Sequence, residues 1–275
     1  QRVRAMVLDG GYDPSADPDA LTVQGAAARE RGLRAILEGC AADRLCYFHN
    51  SGDSPAAFER LMAVLDATPM SVAPSLPAVD QGEAWRAVLF ALPDEAKWTR
   101  LTMALHEAEA GDAMELLLLS EESVFHGVPN ADASVAIGCL DWVGREGPST
   151  AGSLGGGLAG VASRLGTTAA DYLCERWPVR PEPIPPVTGS GAGPILVTAV
   201  TGDAVIAFES SRELADALWA GALLVVEGFR HGAYQPGRQD RACAVATIDW
   251  YLISLTVPAD GSVCLPGGAL PQPPG

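Results

Sequence analysis

The sequence predicts an α/β fold in which a parallel sheet with covering helices is interrupted by a large helical insertion. Three observations carry this reading. Beyond residue 190 short apolar runs alternate with helical segments, one further apolar run opens the chain, and the block between about 20 and 185 has helical periodicity. Strand and helix alternating in short units argue for a parallel sheet with helices packed on it. At 275 residues the chain can bury a sizeable core, and 48% hydrophobic against 19% charged residues is a globular composition.

The first element is VRAMVL, residues 3–8, a short buried strand that stops at Asp9, Gly10 and Gly11. In SPAAFERLMAVLDATP, Phe58, Leu61, Met62 and Leu65 follow the i, i+3, i+4, i+7 pattern, with Ser54 as N-cap and Pro55 in the first turn. Trp98, Leu101, Leu105 and Ala108 do the same in a helix that opens at Asp94 and stops at Gly111, and a third helix is expected over 112–119. RWPVRPEPIPPVTGSGAGP, residues 176–194, is dense in Pro and Gly and reads as a linker to another layer. After it come a strand at 194–200, a helix at 210–221, a strand at 222–228 and a helix at 239–255. The chain therefore divides into 1–19, an inserted helical block 20–185, and a C-terminal region 186–275 that completes the sheet.

A net charge of −16, with only 18 scattered Lys and Arg, argues against nucleic acid as partner, since phosphate binding rests on clustered basic residues. No apolar run approaches the 18 or so residues of a membrane span, so no transmembrane segment is expected. The chain begins with Gln1 and reads from there as one already under way, either processed or part of something longer. Its six cysteines allow fifteen connectivities. The sequential one would pair Cys40 with Cys46, Cys139 with Cys174 and Cys243 with Cys264. An even count without zinc spacing favours disulfides and an exported protein over buried free thiols in a cytosolic one. His49, His106 and His126 share no ligand spacing, so neither metal nor cofactor is expected.

In open parallel sheets the working residues sit on loops just past the carboxyl ends of strands. TAVTGD puts Asp203 there after one strand, and VVEGFRH puts His231 there after the next, 28 residues later. An Asp that holds an imidazole by its Nδ1 proton, leaving Nε2 to take a proton from a nucleophile, is the acid and base pair of a hydrolytic triad. The plainer alternative for His231 is a surface loop histidine.

GPILVTAVTGDAVIAFESSRELADALWAGALLVVEGFRHGAY, followed by CAVATIDWYLISLTVPADGSVC, resembles the C-terminal portion of the secreted tripeptidyl-aminopeptidase-like α/β-hydrolases. These are bacterial serine peptidases related to prolyl aminopeptidases. RVRAMVLDGGYDP looks like the strand that follows the nucleophile helix in that family, and AIGCLDW with LCERWPVRPEP resembles its cysteine-bearing cap segments. The resemblance implies a partial α/β-hydrolase fold, with 20–185 as the cap. It makes Asp203 the triad acid, His231 the triad base, and Cys243 with Cys264 a terminal disulfide. It implies an exported enzyme acting on a peptide or small ester, with no cofactor. Asp141 in the cap is then a candidate for meeting a peptide's free amine, against the reading of a solvated or helix-capping acid.

In the family the G-x-S-x-G nucleophile elbow lies just upstream of the strand that opens this chain, in the order Ser, Asp, His. The serine is therefore expected to be missing from residues 1–275, which alone should not turn over substrate. Ser153 in Ala151-Gly152-Ser153-Leu154-Gly155 competes for the role, but residues 141–150, DWVGREGPST, are no strand to lead into an elbow. One departure stands out. Ala204, Ile206 and Ala207 replace the Pro, Thr and Pro of the family's Gly-Asp-Pro-x-Thr-Pro, which is expected to loosen the turn that aims Asp203. The rival function is a hydrolase-like binding module without chemistry; an esterase or lipase of the same fold is the third. Glu121 and Glu122 are expected at a solvated helix end, and Trp85, Trp98 and Trp142 in the cap core.

Overall fold

The computed structural model describes residues 3–127, 133, 136, 137, 139, 140, 177–179, 182 and 184–268. These fall into two units, one of residues 31–134 and one of residues 1–30 with 135–275.

The second unit holds a four-stranded sheet in the order β1 (Met6–Asp9), β2 (Ile195–Val200), β3 (Gly221–Val226), β4 (Ser262–Cys264). Every neighbouring pair is parallel, with Met6 opposite Ile195, Ile195 opposite Gly221 and Leu224 opposite Ser262. β2 is buried at all six positions. Its alternate side chains feed two cores, as the period of a strand requires. Ile195, Val197 and Ala199 join Leu214 and Leu218 around helix α6 (Phe208–Ala217), whereas Leu196 and Val200 join Ile248 and Tyr251 of helix α7 (Ala242–Ser254). Burial on both faces is why this strand reads as an apolar run broken only by Thr198.

The opening strand runs from Met6 to Asp9, not 3–8, because the residues before it serve helix α7. The Arg4 guanidinium donates to the carbonyls of Leu252 and Ile253 at 2.6 and 2.7 Å, satisfying acceptors that the helix end leaves open. Tyr251 then accepts from the Met6 amide and donates to the Pro194 carbonyl, tying α7 to the heads of β1 and β2. Helix α6 ends at Ala217, earlier than expected, because Gly221 already opens β3. The Cys243–Cys264 disulfide joins α7 to β4 across 21 residues, a loop whose closure contributes about 3 kcal/mol. β4 was not expected from the sequence; three residues carry too little pattern.

The first unit contains the C-terminal part of α1 (Pro18–Ala42), from Arg31 onward, with α2 (Ser54–Ala67), α3 (Gln81–Ala91), α4 (Trp98–Glu109) and α5 (Met114–Gly127). Ser54 is the first residue of α2 rather than its cap: Asp53 takes the cap position and the Ser54 hydroxyl donates to the His49 carbonyl. α5 is longer than the expected 112–119, and Asp112 accepts from the Met114 amide at its start. Trp85 is buried and meets Phe58 edge to face at 5.4 Å, a core residue. Glu122 pairs with Arg100 at 2.7 Å instead of standing free in solvent. Cys40 and Cys46 are bonded. Cys139 is buried, while its expected partner Cys174, like Asp141, Trp142 and Ser153, lies outside the described residues. No described helix is long and apolar enough to cross a membrane.

Candidate active site

Three adjacent strand tips meet at one end of the sheet. β1 delivers Asp9 and Gly10, β2 leads through Gly202 to Asp203, and β3 leads through Gly228 to His231. The loops after β2 and β3 are stitched together: the Gly202 amide donates to the Gly228 carbonyl at 2.8 Å, and the Thr201 amide to the Val226 carbonyl at 3.0 Å.

Asp203 is 1% exposed, and each of its carboxylate oxygens is engaged. Oδ1 accepts from the Val205 and Ile206 amides at 2.8 and 3.1 Å, and Oδ2 lies 2.8 Å from His231 Nδ1. An ionised carboxylate only accepts, so Nδ1 carries the proton and Nε2 is left to exchange one with a substrate or nucleophile. The donors that aim Asp203 do not depend on the prolines this turn lacks. The amides of residues 205 and 206 aim the carboxylate, and neither is at a position where the family carries proline. Ala204 and Ala207 are buried in their places.

The His231 side chain is 42% exposed, open enough to meet a reacting group while its Nδ1 edge faces inward. Its pKa is raised from 6.5, first by the hydrogen bond to Asp203; partial burial opposes this, and the charges of Asp203 and Asp9 add to it. A histidine raised in the folded state stabilises it fully below the unfolded value and loses that contribution as pH rises through the folded one. NMR titration of the His231 ring is therefore expected to give a midpoint above 6.5, and stability should decline as pH passes it. A midpoint at or below 6.5 contradicts the dyad.

Asp9, read from the sequence only as the end of a strand, belongs to this site. Its Oδ1 accepts from the Thr198 hydroxyl and from the Ala233 amide at 2.7 Å, and its Oδ2 from the Tyr234 amide at 3.0 Å. Gly10, in the left-handed region at φ +62°, lies against the dyad: a Cβ there would stand 3.3 Å from His231 Cε1. Arg241, 1% exposed, donates to the Glu227 carbonyl at 2.9 Å and so fixes the exit of β3. The strand-tip rule that picked out Asp203 and His231 points equally to Asp9. Arg241 had no sequence signal, because a buried arginine in an apolar helix start looks like a surface one.

Residues 162–264, which include Asp203, His231, Cys243 and Cys264, match the family described as TAP-like protein. With the parallel sheet and its flanking helices, that match settles the architecture. The chain has an α/β-hydrolase type of fold. The chain is 28% identical over 281 residues to Carboxylesterase B of Mycobacterium tuberculosis, covering 96% of the chain and 52% of the relative. It is also 28% identical over 290 residues to Serine protease Hip1 of Mycobacterium tuberculosis, covering 96% and 54%. The chain thus spans about half the length of the curated relatives it matches.

Proposed function

We propose that this chain carries the acid and base of a serine hydrolase, with Asp203 orienting His231 and His231 moving the protons. The observation that carries the proposal is the 2.8 Å contact of a fully buried carboxylate with the Nδ1 of a half-exposed imidazole, at adjacent tips of a parallel sheet. In this reading Nε2 takes the proton of a serine hydroxyl as its oxygen attacks an acyl carbonyl. The imidazolium then returns that proton to the leaving group, and the acyl-enzyme is cleared by water through the same ring. The serine comes from a G-x-S-x-G segment preceding β1 in the longer protein. The chain order of α/β-hydrolase triads supports this, as does the length of the relatives. Residues 20–185 act as the cap that selects substrate, with Asp141 available to a free amino terminus.

The substrate is a peptide cleaved from its N-terminus, in line with the peptidase-like sequence around both residues. A small ester is the second reading, favoured by the equal identity to Carboxylesterase B. The disulfides Cys40–Cys46 and Cys243–Cys264 support export, since such bonds persist in oxidising compartments. The test compares residues 1–275 with the product of the full reading frame on aminoacyl anilides and on aryl esters. Turnover confined to the longer product is expected. Turnover by residues 1–275 that vanishes in Ser153→Ala overturns the external serine. A start codon directly before Gln1 would instead make this a binding module without chemistry.

A further inference from the structure

We propose that Asp9 is a positioning residue for His231, holding the imidazole on its acid by clamping the backbone that follows it. This rests on the assignment of Asp203 and His231 as acid and base, and adds a third strand tip to them.

The local logic begins with the chain after His231. Gly232, Ala233 and Tyr234 turn away from β3, the amides of the last two meet Asp9, and that of Ala233 would be left unpaired were Asp9 absent. Ala233 is fully buried, so its amide has no water to turn to. Asp9 meets both with one carboxylate, Oδ1 taking Ala233 and Oδ2 taking Tyr234. Its own orientation is fixed by Thr198, fully buried on β2 and directly opposite it in the sheet, whose hydroxyl donates to Oδ1. β1 thus grips the far side of the His231 loop while β2 grips the near side through Gly202 and Gly228. The ring is then flanked by Asp203 on one tip and by Asp9 and Gly10 on the next. Those two carboxylates are the charged groups that act on His231 among the described residues.

The demand is for two acceptors, and an amide supplies one. In Asp9→Asn the side-chain nitrogen must oppose either the Tyr234 amide or the donors of Ala233 and Thr198, and each choice sets donor against donor. The clamp then opens while the volume stays the same. Asp203 keeps its own amide donors and stays in place, so the loss falls on the alignment of His231.

The readout is the hydrogen-bonded Nδ1 proton of His231, observed by NMR on residues 1–275, together with kcat and KM in the full-length product. Asp9→Asn is expected to broaden that resonance through solvent exchange, to lower the ring's titration midpoint, and to reduce kcat by up to about 10²-fold at unchanged KM. Thr198→Val should weaken the signal in the same direction, and Thr198→Ser, which keeps the hydroxyl, should restore it. A folded Asp9→Asn protein with the wild-type resonance and midpoint overturns the proposal. Should Asp9→Asn fail to fold, the Thr198 pair decides: loss in Val with recovery in Ser supports the clamp, and wild-type spectra in both overturn it. Asp203→Asn separates this from the underlying assignment. If it too leaves the resonance unchanged, the acid and base pair itself is wrong; if it alone abolishes the resonance, only the role of Asp9 falls.

Discussion

Asp203→Asn is expected to lower kcat of the full-length product by about 10⁴-fold, the scale of loss when a triad acid becomes an amide. The hydrogen bonds around this residue say why. Asp203 Oδ1 accepts from two backbone amides, Val205 and Ile206, so an asparagine keeps its oxygen there and turns its NH2 toward His231. The imidazole must then accept at Nδ1, which moves its proton to Nε2, the atom that has to take one from the nucleophile. The protein should remain folded, with binding little changed, because no volume is lost and the two amides stay satisfied. Steady-state kinetics on an aryl ester and an aminoacyl anilide check this. A fall of less than about tenfold would remove Asp203 from the acid role and leave its burial as a purely structural feature.

Gly202→Ala should cost about 2 to 3 kcal/mol of stability and disturb the site at the same time. Its φ lies outside the left-handed region; what the position lacks is space. A Cβ would fall 2.3 Å from Phe229 Cδ1 and 2.7 Å from the Gly228 carbonyl oxygen. The carbonyl cannot swing aside, since it receives the Gly202 amide at 2.8 Å. The clash forces the tips of β2 and β3 apart next to the two residues they bring together. Urea denaturation and the His231 Nδ1 proton resonance give the two halves of the test. Gly193→Ala, where a Cβ meets nothing within 4 Å, is the matched control and should be close to neutral. Equal effects at both positions would show that glycine content, not this close approach, is responsible.

The parallel sheet and the position of Asp203 and His231 were legible because β2 and β3 are apolar on both faces, and an apolar run marks both the strand and its tip. The turn after Asp203 was legible only in part. Proline stiffens a turn from within, and its loss is visible in sequence; the amides that hold the carboxylate are present whatever the side chains. Asp9 was read as punctuation since its partners lie 189 to 225 residues away in the chain. Helix α1 was not delimited either: it is rich in alanine and interrupted by Gly25, Gly32 and Gly39, so no narrow apolar stripe marks its ends. The start of α3 did carry a signal, Asp80 three residues before Glu83, and Asp80 does accept from the Glu83 amide.

The pairing of β1 with β2 sets a constraint that hydrophobicity alone cannot police. Sliding one strand by a single residue would turn its apolar side chains to the wrong face, and the core would resist. Sliding by two keeps every face correct yet displaces a strand tip by about 6.6 Å. Polar matches distinguish that error: Asp9 with Thr198 at the tip, and Arg4 and the Met6 amide with α7 at the head, so these contacts act as the gauge of alignment for the sheet.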